Sequence, residues 1–338
     1  LARMDHAREK FVSYRHDPSD PDSLSSNRVT SFVQDTSGKM WVGTDSGGLN
    51  LLDTETGTFA HFRHDPNDPA TLADDTVYSL NIDANGTVWV GTRGGGLNRI
   101  IGDAMSPDSI RFESITVADG LANDVVYGVA IEGDDIWAAT TAGASRYTPD
   151  TDQWTIFTEK NAPMEEIWNY SCCYADGLVY LAVWGSGALE YDVARGTWKE
   201  YLDPDREMEI DLYRDDGIVH VITTGASAVD DTLWVATYFG LSRYDGVHWK
   251  GYFDHDSGLA SNFINFIKAS GGIAYICTDK GLSTTNGTDW NTYGKNSISH
   301  NYVLGVDITE DRIWVATSEG LSRGELLNAS SGVRDELN

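Results

Sequence analysis

The stretch FVSYRHDPSDPDSLSSNRVTSF, Phe11 to Phe32, returns 48 residues later as FAHFRHDPNDPATLADDTVYSL, Phe59 to Leu80, with ten of the 22 aligned positions identical. The second copy follows WVGTDSGGLN (Trp41 to Asn50), a phrase that itself returns as WVGTRGGGLN (Trp89 to Asn98). Each copy is therefore the tail of one repeat joined to the linker into the next. The chain opens on the end of a repeat.

Working outward, the unit begins with a strand, a tight turn and a second strand: VTSFVQDTSGKMWVGT, VYSLNIDANGTVWVGT and VYGVAIEGDDIWAAT are clear copies. Weaker ones are YSCCYADGLVYLAV, GIVHVITTGASAVDDTLWVAT, INFIKASGGIAYICT and VLGVDITEDRIWVAT. Apolar residues alternate at period two, and the turns carry Gly, Asn or Asp, which tolerate positive φ. Trp41, Trp89, Trp137, Tyr180, Trp234, Tyr275 and Trp314 mark equivalent positions, 39 to 54 residues apart. After each comes a Gly-bearing turn and a third strand such as GGLNLLD, GASRYT or GLSRYD. A fourth strand carries aromatics three apart: Phe11 with Tyr14, Phe59 with Phe62, Trp154 with Phe157, Trp198 with Tyr201, Trp249 with Tyr252, Trp290 with Tyr293, and a degenerate copy at Phe112 with Ile115.

The outer strands also number seven, but they are offset. The first precedes the first inner hairpin, and the last hairpin, at Trp314, has none after it. A ring resolves the mismatch by letting Phe11 to Arg15 complete the final sheet, which removes the free edges of a linear array. Four strands over about 40 to 50 residues is the pattern of a propeller blade. The expected fold is all-β: one seven-bladed β-propeller of four-stranded antiparallel blades over residues 1–324, closed by the N-terminal strand, with 325–338 as a tail or linker. LARMD aligns with LNLLD, so either terminus could supply the closing blade's third strand.

Twenty-four Lys and Arg against 52 Asp and Glu give a formal charge of -28, which repels phosphate backbones and anionic lipid; nucleic-acid binding is not expected. No apolar run approaches the roughly 20 residues of a membrane helix, so membrane insertion of this chain is not expected. Cys172, Cys173 and Cys277 cannot build a disulfide framework. Neighbouring Cys172 and Cys173 are expected on opposite faces of a strand, one inward and one outward, and reduced.

The phrases RHDPNDPATLADDTVYSL, DANGTVWVGTRGGGLN and GLANDVVYGVAIEGDDIWAAT resemble the two-component regulator propeller family, whose blade reads roughly N-x-V, then D-x-x-G-x-W-[IV]-G-T, then G-G-L-N-R-[FY]-D. The resemblance is strong in the first three blades and over 232–323, and weaker from about 160 to 230. It implies the extracytoplasmic, periplasmic sensing part of a bacterial hybrid sensor kinase, followed in such proteins by a β-sandwich, a membrane helix and kinase modules. Many such sensors take oligosaccharides. The chain holds one ring where many sensors carry two.

Motifs for chemistry are weaker. GTRGGGLN leads into a strand, with no helix to present amides to phosphate and no Lys-Ser or Lys-Thr after it, so its glycines are turn residues. Asp17, Asp20 and Asp22, and Asp65 with Asp68, resemble oxygen-rich calcium loops, but interleaved prolines and a missing x-[DN]-G core argue against a structural calcium, and no cofactor is expected. His16 and His64 occupy equivalent positions and should share a structural hydrogen bond. The one G-x-S-x-G string, GLSRG at Gly320 to Gly324, is the third-strand phrase of the last repeat, so no nucleophile elbow is expected.

What stands out is departure from repetition. In a propeller the linkers entering the innermost strands and the turns between second and third strands gather at one mouth of the central channel, where residues vary without breaking a blade. The linkers supply Asn27 and Arg28, Asp75 and Thr76, Asn123 and Asp124, Trp168 and Asn169, Asn262 and Phe263, and Asn301 and Tyr302. The turns supply Asp45, Arg93, Trp184, Tyr238, Phe239, Lys280 and Glu319. The recurrent Asn and Asp read as Asx caps on the turn into the strand. Trp168, Trp184, Tyr238, Phe263 and Tyr302, with Arg28, Arg93, Asn169 and Lys280, either pack on their own linkers or face a ligand. Flat rings beside polar groups suit a small polar ligand such as an oligosaccharide. The alternatives are a polysaccharide lyase or hydrolase on the same face, and a scaffold that binds a protein partner or a second copy through its rim.

Overall fold

The protein is described by a computed structural model covering residues 11–203, 216–309 and 312–326. Seven four-stranded antiparallel sheets make up its described strands. Numbering blades from the first complete one, the innermost strands are Val29–Gln34, Val77–Ile82, Val126–Glu132, Asn169–Ala175, Thr223–Val229, Ile264–Ser270 and Val303–Thr309. Within blades 1 to 6 the strands pair in chain order from the axis outward.

Blade 7 closes the ring as the strand offset requires. Val12, Ser13 and Tyr14 pair antiparallel with Arg323, Ser322 and Leu321. Tyr14 lies between Trp314, at 6.2 Å and near parallel, and Phe59 of blade 1, at 5.8 Å. The third strand comes from the carboxyl-terminal side, Gly320–Glu325, which pairs with Arg312–Thr317 across a tight turn. A local hairpin closes with less entropy loss than pairing a segment 300 residues distant. LARMD, and the tail beyond Leu326, lie outside the described residues. The last strand runs to Glu325, one residue past the boundary read from the sequence.

The motif residues have physical roles. In D-x-x-G-x-W, Asp35 accepts the Trp41 indole N–H at 3.1 Å and the N–H groups of Ser37 and Lys39 in its own turn; Asp83 serves Trp89 in the same way. Trp41, Trp137 and Trp314 are fully buried between blades, each removing a large apolar surface from water. In W-V-G-T, the threonine hydroxyl donates to the carbonyl of the glycine that ends the next turn: Thr44 to Gly48, Thr92 to Gly96, Thr140 to Gly143, Thr237 to Gly240, Thr278 to Gly281 and Thr317 to Gly320, at 2.7 to 2.9 Å. The Asn or Ser of G-L-N and G-L-S accepts a backbone N–H from the incoming linker: Asn50 from Ser25, Asn98 from Ala73, Ser145 from Ala122, Ser242 from Val219, Ser283 from Ala260 and Ser322 from Ser299.

Blade 4 breaks both rules, and one repair comes from its own turn and the other from blade 5. Leu189 holds the Ser position, and Ser186 in the preceding turn accepts from Glu165 and Glu166 instead. Val183 holds the Thr position, and Thr223 of blade 5 donates to the Gly187 carbonyl at 2.7 Å and contacts the Val183 carbonyl at 3.1 Å. Elsewhere the Thr223 position is mostly a buried Val or Ile.

Two expectations need correction. The recurrent linker Asn and Asp are staples rather than caps on their own turn: Asn27, Asp75, Asp124, Asn262 and Asn301 accept the N–H of His16, His64, Val117, Asp254 and Lys295, tying the linker to the exit of the preceding outer strand. Asn123 does cap, accepting from Val125. Cys172 and Cys173 are free thiols, but neither points outward: Cys172 reaches the Trp137 carbonyl of blade 3, while Cys173 meets the Ala228 backbone of blade 5. Both faces of a propeller sheet are covered by neighbouring blades, so alternation along a strand selects a neighbour rather than solvent. His16 and His64 share their bond as expected, each Nδ1 donating to the carbonyl of Leu24 or Leu72 at 2.8 and 2.9 Å.

Candidate functional site

Every innermost strand carries a register shift across its second residue: Thr30, Tyr78, Tyr127, Tyr170, Thr224, Asn265 and Leu304. These are β-bulges, in which the extra residue breaks alternation and re-aims its side chain. Where the bulged residue is polar it reaches the following blade, Thr30 donating to the Val77 carbonyl at 2.6 Å, Thr224 to Ile264 at 2.8 Å and Asn265 to Val303 at 2.8 Å. Where it is tyrosine it shingles onto the next ring: Tyr78 stacks on Tyr127 at 4.7 Å, and Tyr127 meets Tyr170 at 5.3 Å with the rings tilted by 35°.

Two further tiers lie at the same end. In six blades the first residue of the turn between second and third strands donates its N–H to the last linker residue before the innermost strand, pairing Asp45 with Arg28, Arg93 with Thr76, Trp184 with Trp168, Tyr238 with Ile222, Asp279 with Phe263 and Ser318 with Tyr302. These bonds fix which side chains share the mouth.

The aromatic members form one continuous array over blades 2 to 6. Trp168 lies parallel to Tyr170 at 5.6 Å and near parallel to Trp184 at 6.0 Å. Trp184 meets Tyr238 edge-on at 6.1 Å, and Tyr238 stacks on Phe263 at 4.4 Å. Tyr170 meets Tyr238 edge-on at 6.4 Å. Burial, reinforced by neighbouring phenols, pushes Tyr78 up to about 12 and raises Tyr170, and burial raises Tyr238. The cluster is neutral at ordinary pH and presents hydroxyls that both donate and accept.

The residues singled out in the sequence divide into two groups. Trp168 (39% exposed), Trp184, Tyr238 and Phe263 are brought together in the array. Tyr302 lies under the Arg28 guanidinium at 5.7 Å, and Arg28 pairs with Asp45 at 3.1 Å. Arg93 is exposed beside Tyr78. Asn169 is withdrawn: fully buried, it occupies the strand position of Val29, Val77 and Val126, and its amide donates to the Ile167 carbonyl. Lys280 is exposed but stands one residue beyond the turn position, which Asp279 fills. Tyr78, Tyr127 and Tyr170 were missed; the signal was an aromatic directly after the first residue of an innermost strand.

Among the described residues no three His, Cys, Asp or Glu converge on a metal position. The loop acids serve their own turns, Asp17 accepting from Ser19 and Asp65 from Asn67. Among the described residues no helix is long and apolar enough to cross a membrane.

Residues 23–46 and 71–94, each a linker with its inner hairpin, match the two component regulator propeller family model. Two extracellular domains of hybrid two component systems from B. thetaiotaomicron share the fold, with TM-scores of 0.69 and 0.68 at 16% and 18% identity; each match covers 94% of this chain and 42% or 40% of the other. The chain thus spans about two-fifths of those structures. Virginiamycin B lyase from Staphylococcus aureus superposes with a TM-score of 0.67 at 14% identity over 95% of this chain and 99% of that one. No curated protein sequence matches.

Proposed function

We propose that this ring, which carries the two component regulator propeller repeat, is the extracytoplasmic ligand-binding part of a bacterial two-component-type sensor, and that it binds a small polar ligand such as an oligosaccharide at the linker-bearing mouth of its channel. The observation that carries the reading is the unbroken aromatic array from Tyr78 to Phe263, built at positions the blade scaffold leaves free. Trp168 offers a ring face to sugar C–H groups, and the tyrosine phenols and Arg93 offer hydrogen bonds to hydroxyls.

The test is calorimetric titration of a glycan panel against the wild type and a Trp168→Ala/Trp184→Ala variant. Removing two stacking faces should weaken binding by at least tenfold, roughly the effect of losing aromatic contact area, with little change in melting temperature. Unchanged affinity would move the site elsewhere. A lyase reading has one observation in its favour, the end-to-end match to virginiamycin B lyase; turnover in the same panel would select it.

A further inference from the structure

At the outer rim, the seam between blades 1 and 2 holds a cleft of about 220 Å³ whose lining includes His61, Arg63, Asp68, Ala70, Arg111 and Phe112. It lies between the outer strands Phe59–Phe62 and Arg111–Ile115 and the loop over residues 64–72, whose Ala70 carbonyl accepts the Phe112 N–H at 2.8 Å. The seam between blades 7 and 1 is built in the same way, with the Asp22 carbonyl accepting the Phe59 N–H at 2.9 Å. Matching the two seams residue by residue, Ser13 there is His61 here, Thr58 is Arg111, and Asp22 is Ala70. Each exchange adds a basic side chain or removes an acidic one. The other seam folds without them, so they are not required to hold the loop.

The two arginines are also short of carboxylates, in a chain with 52 Asp and Glu to 24 Lys and Arg. Arg28, Lys39, Arg99 and Arg195 each hold an acid at 3.1 Å or less. Arg63 reaches Asp75 only at 3.7 Å. Arg111 forms no ion pair among the described residues, and its Nη1 donates to the Asp108 and Ile110 carbonyls. Asp68 turns its Oδ1 to the Ala70 N–H, and His61 uses its Nε2 on the Ser23 carbonyl. Two guanidiniums with N–H groups to spare on one cleft are suited to the two-point recognition of an oxyanion.

We propose that this cleft is an anion subsite, in which Arg63 and Arg111 take a carboxylate, sulfate or phosphate group of a small ligand. It is separate from the aromatic array, so neither reading depends on the other.

The experiment is calorimetric titration of the full chain with sulfate, phosphate and acetate, each at a constant ionic strength of about 150 mM so that screening of the acidic surface does not change during the titration. At least one should bind saturably, and the tightest of the three names the group. Arg111→Thr and Ala70→Asp, each installing the residue of the seam between blades 7 and 1, should weaken that binding at least tenfold, about the scale of one charge-assisted hydrogen bond. Ala70→Asp keeps both backbone bonds of residue 70 and decides the matter if Arg111→Thr lowers the melting temperature. Trp168→Ala/Trp184→Ala should bind the anion as the wild type does. Absence of saturable binding for all three anions, or binding that Ala70→Asp leaves unchanged, overturns the subsite.

Discussion

Thr223→Val tests whether the blades are held by the hydroxyl-to-carbonyl bonds that the repeat residues supply. The Thr223 side chain is fully buried, and its hydroxyl donates to Gly187 at 2.7 Å across the seam between blades 4 and 5. Valine keeps the branching, removes the donor and leaves the carbonyl short of a partner, for a cost of about 1–2 kcal/mol. Equilibrium urea unfolding should show that loss as a lower midpoint with an unchanged slope. The decisive arm is Val183→Thr in the Thr223→Val background, which recreates the arrangement made by Thr44, Thr92, Thr140, Thr237, Thr278 and Thr317. Most of the lost stability should return, giving a coupling energy of about 1 kcal/mol between sites 183 and 223. A Thr223→Val variant within about 0.3 kcal/mol of wild type, or strictly additive effects of the pair, would refute the idea that one threonine substitutes for the other.

Gly320→Ala should weaken closure, because the backbone at Gly320 has φ +125° and a Cβ there would lie 2.4 Å from the Tyr14 carbonyl; hydrogen exchange should show Val12 to Tyr14 losing protection before blades 2 to 5. Alkaline pH should destabilise the ring. Burial pushes Cys173 and Tyr78 up to about 12 and raises Cys172, Cys277 and Tyr170. Their contributions are full below the unfolded values, about 8.5 for a thiol and about 10 for a phenol, and are lost as pH rises toward the folded ones. The urea midpoint should therefore fall from about pH 8.5 upward and more steeply above about pH 10; a flat profile between pH 8 and 11 would contradict this. Burial should leave the Cys172 and Cys277 thiols unreactive toward an aromatic disulfide reagent at pH 8 until urea is added.

The fold was legible because its determinants are local and repeated. In the first two blades an Asp six residues before the Trp holds its indole, as Asp35 and Asp83 do, and Gly38 and Gly86 supply the turn's positive φ. Closure followed from counting strands whose edges must be paired. Blade 4 read weakly because its repairs come from Ser186 in a turn and Thr223 in another blade, neither of which a within-blade pattern displays. At the mouth, the rings at Trp168, Trp184, Tyr238 and Phe263 were visible as departures from repetition. The tyrosines at 78, 127 and 170 were not, since period-two alternation assigns them to a sheet face, and their shared place directly after the first residue of an innermost strand gains meaning only once the bulge there is known. Asn169 was misplaced because counting residues along a linker does not show where the linker ends and the buried strand begins.

The seven bulges also separate two duties that a regular strand would fuse. A side chain at the second inner position is exchanged without disturbing the hairpin behind it, which is why threonine, asparagine, leucine and tyrosine all sit there on one unchanged ladder. The mouth therefore behaves as seven sockets on a common chassis. A library randomised at residues 78, 127 and 170 would sample new specificities while keeping the bonds that Thr30, Thr224 and Asn265 make to the following blade.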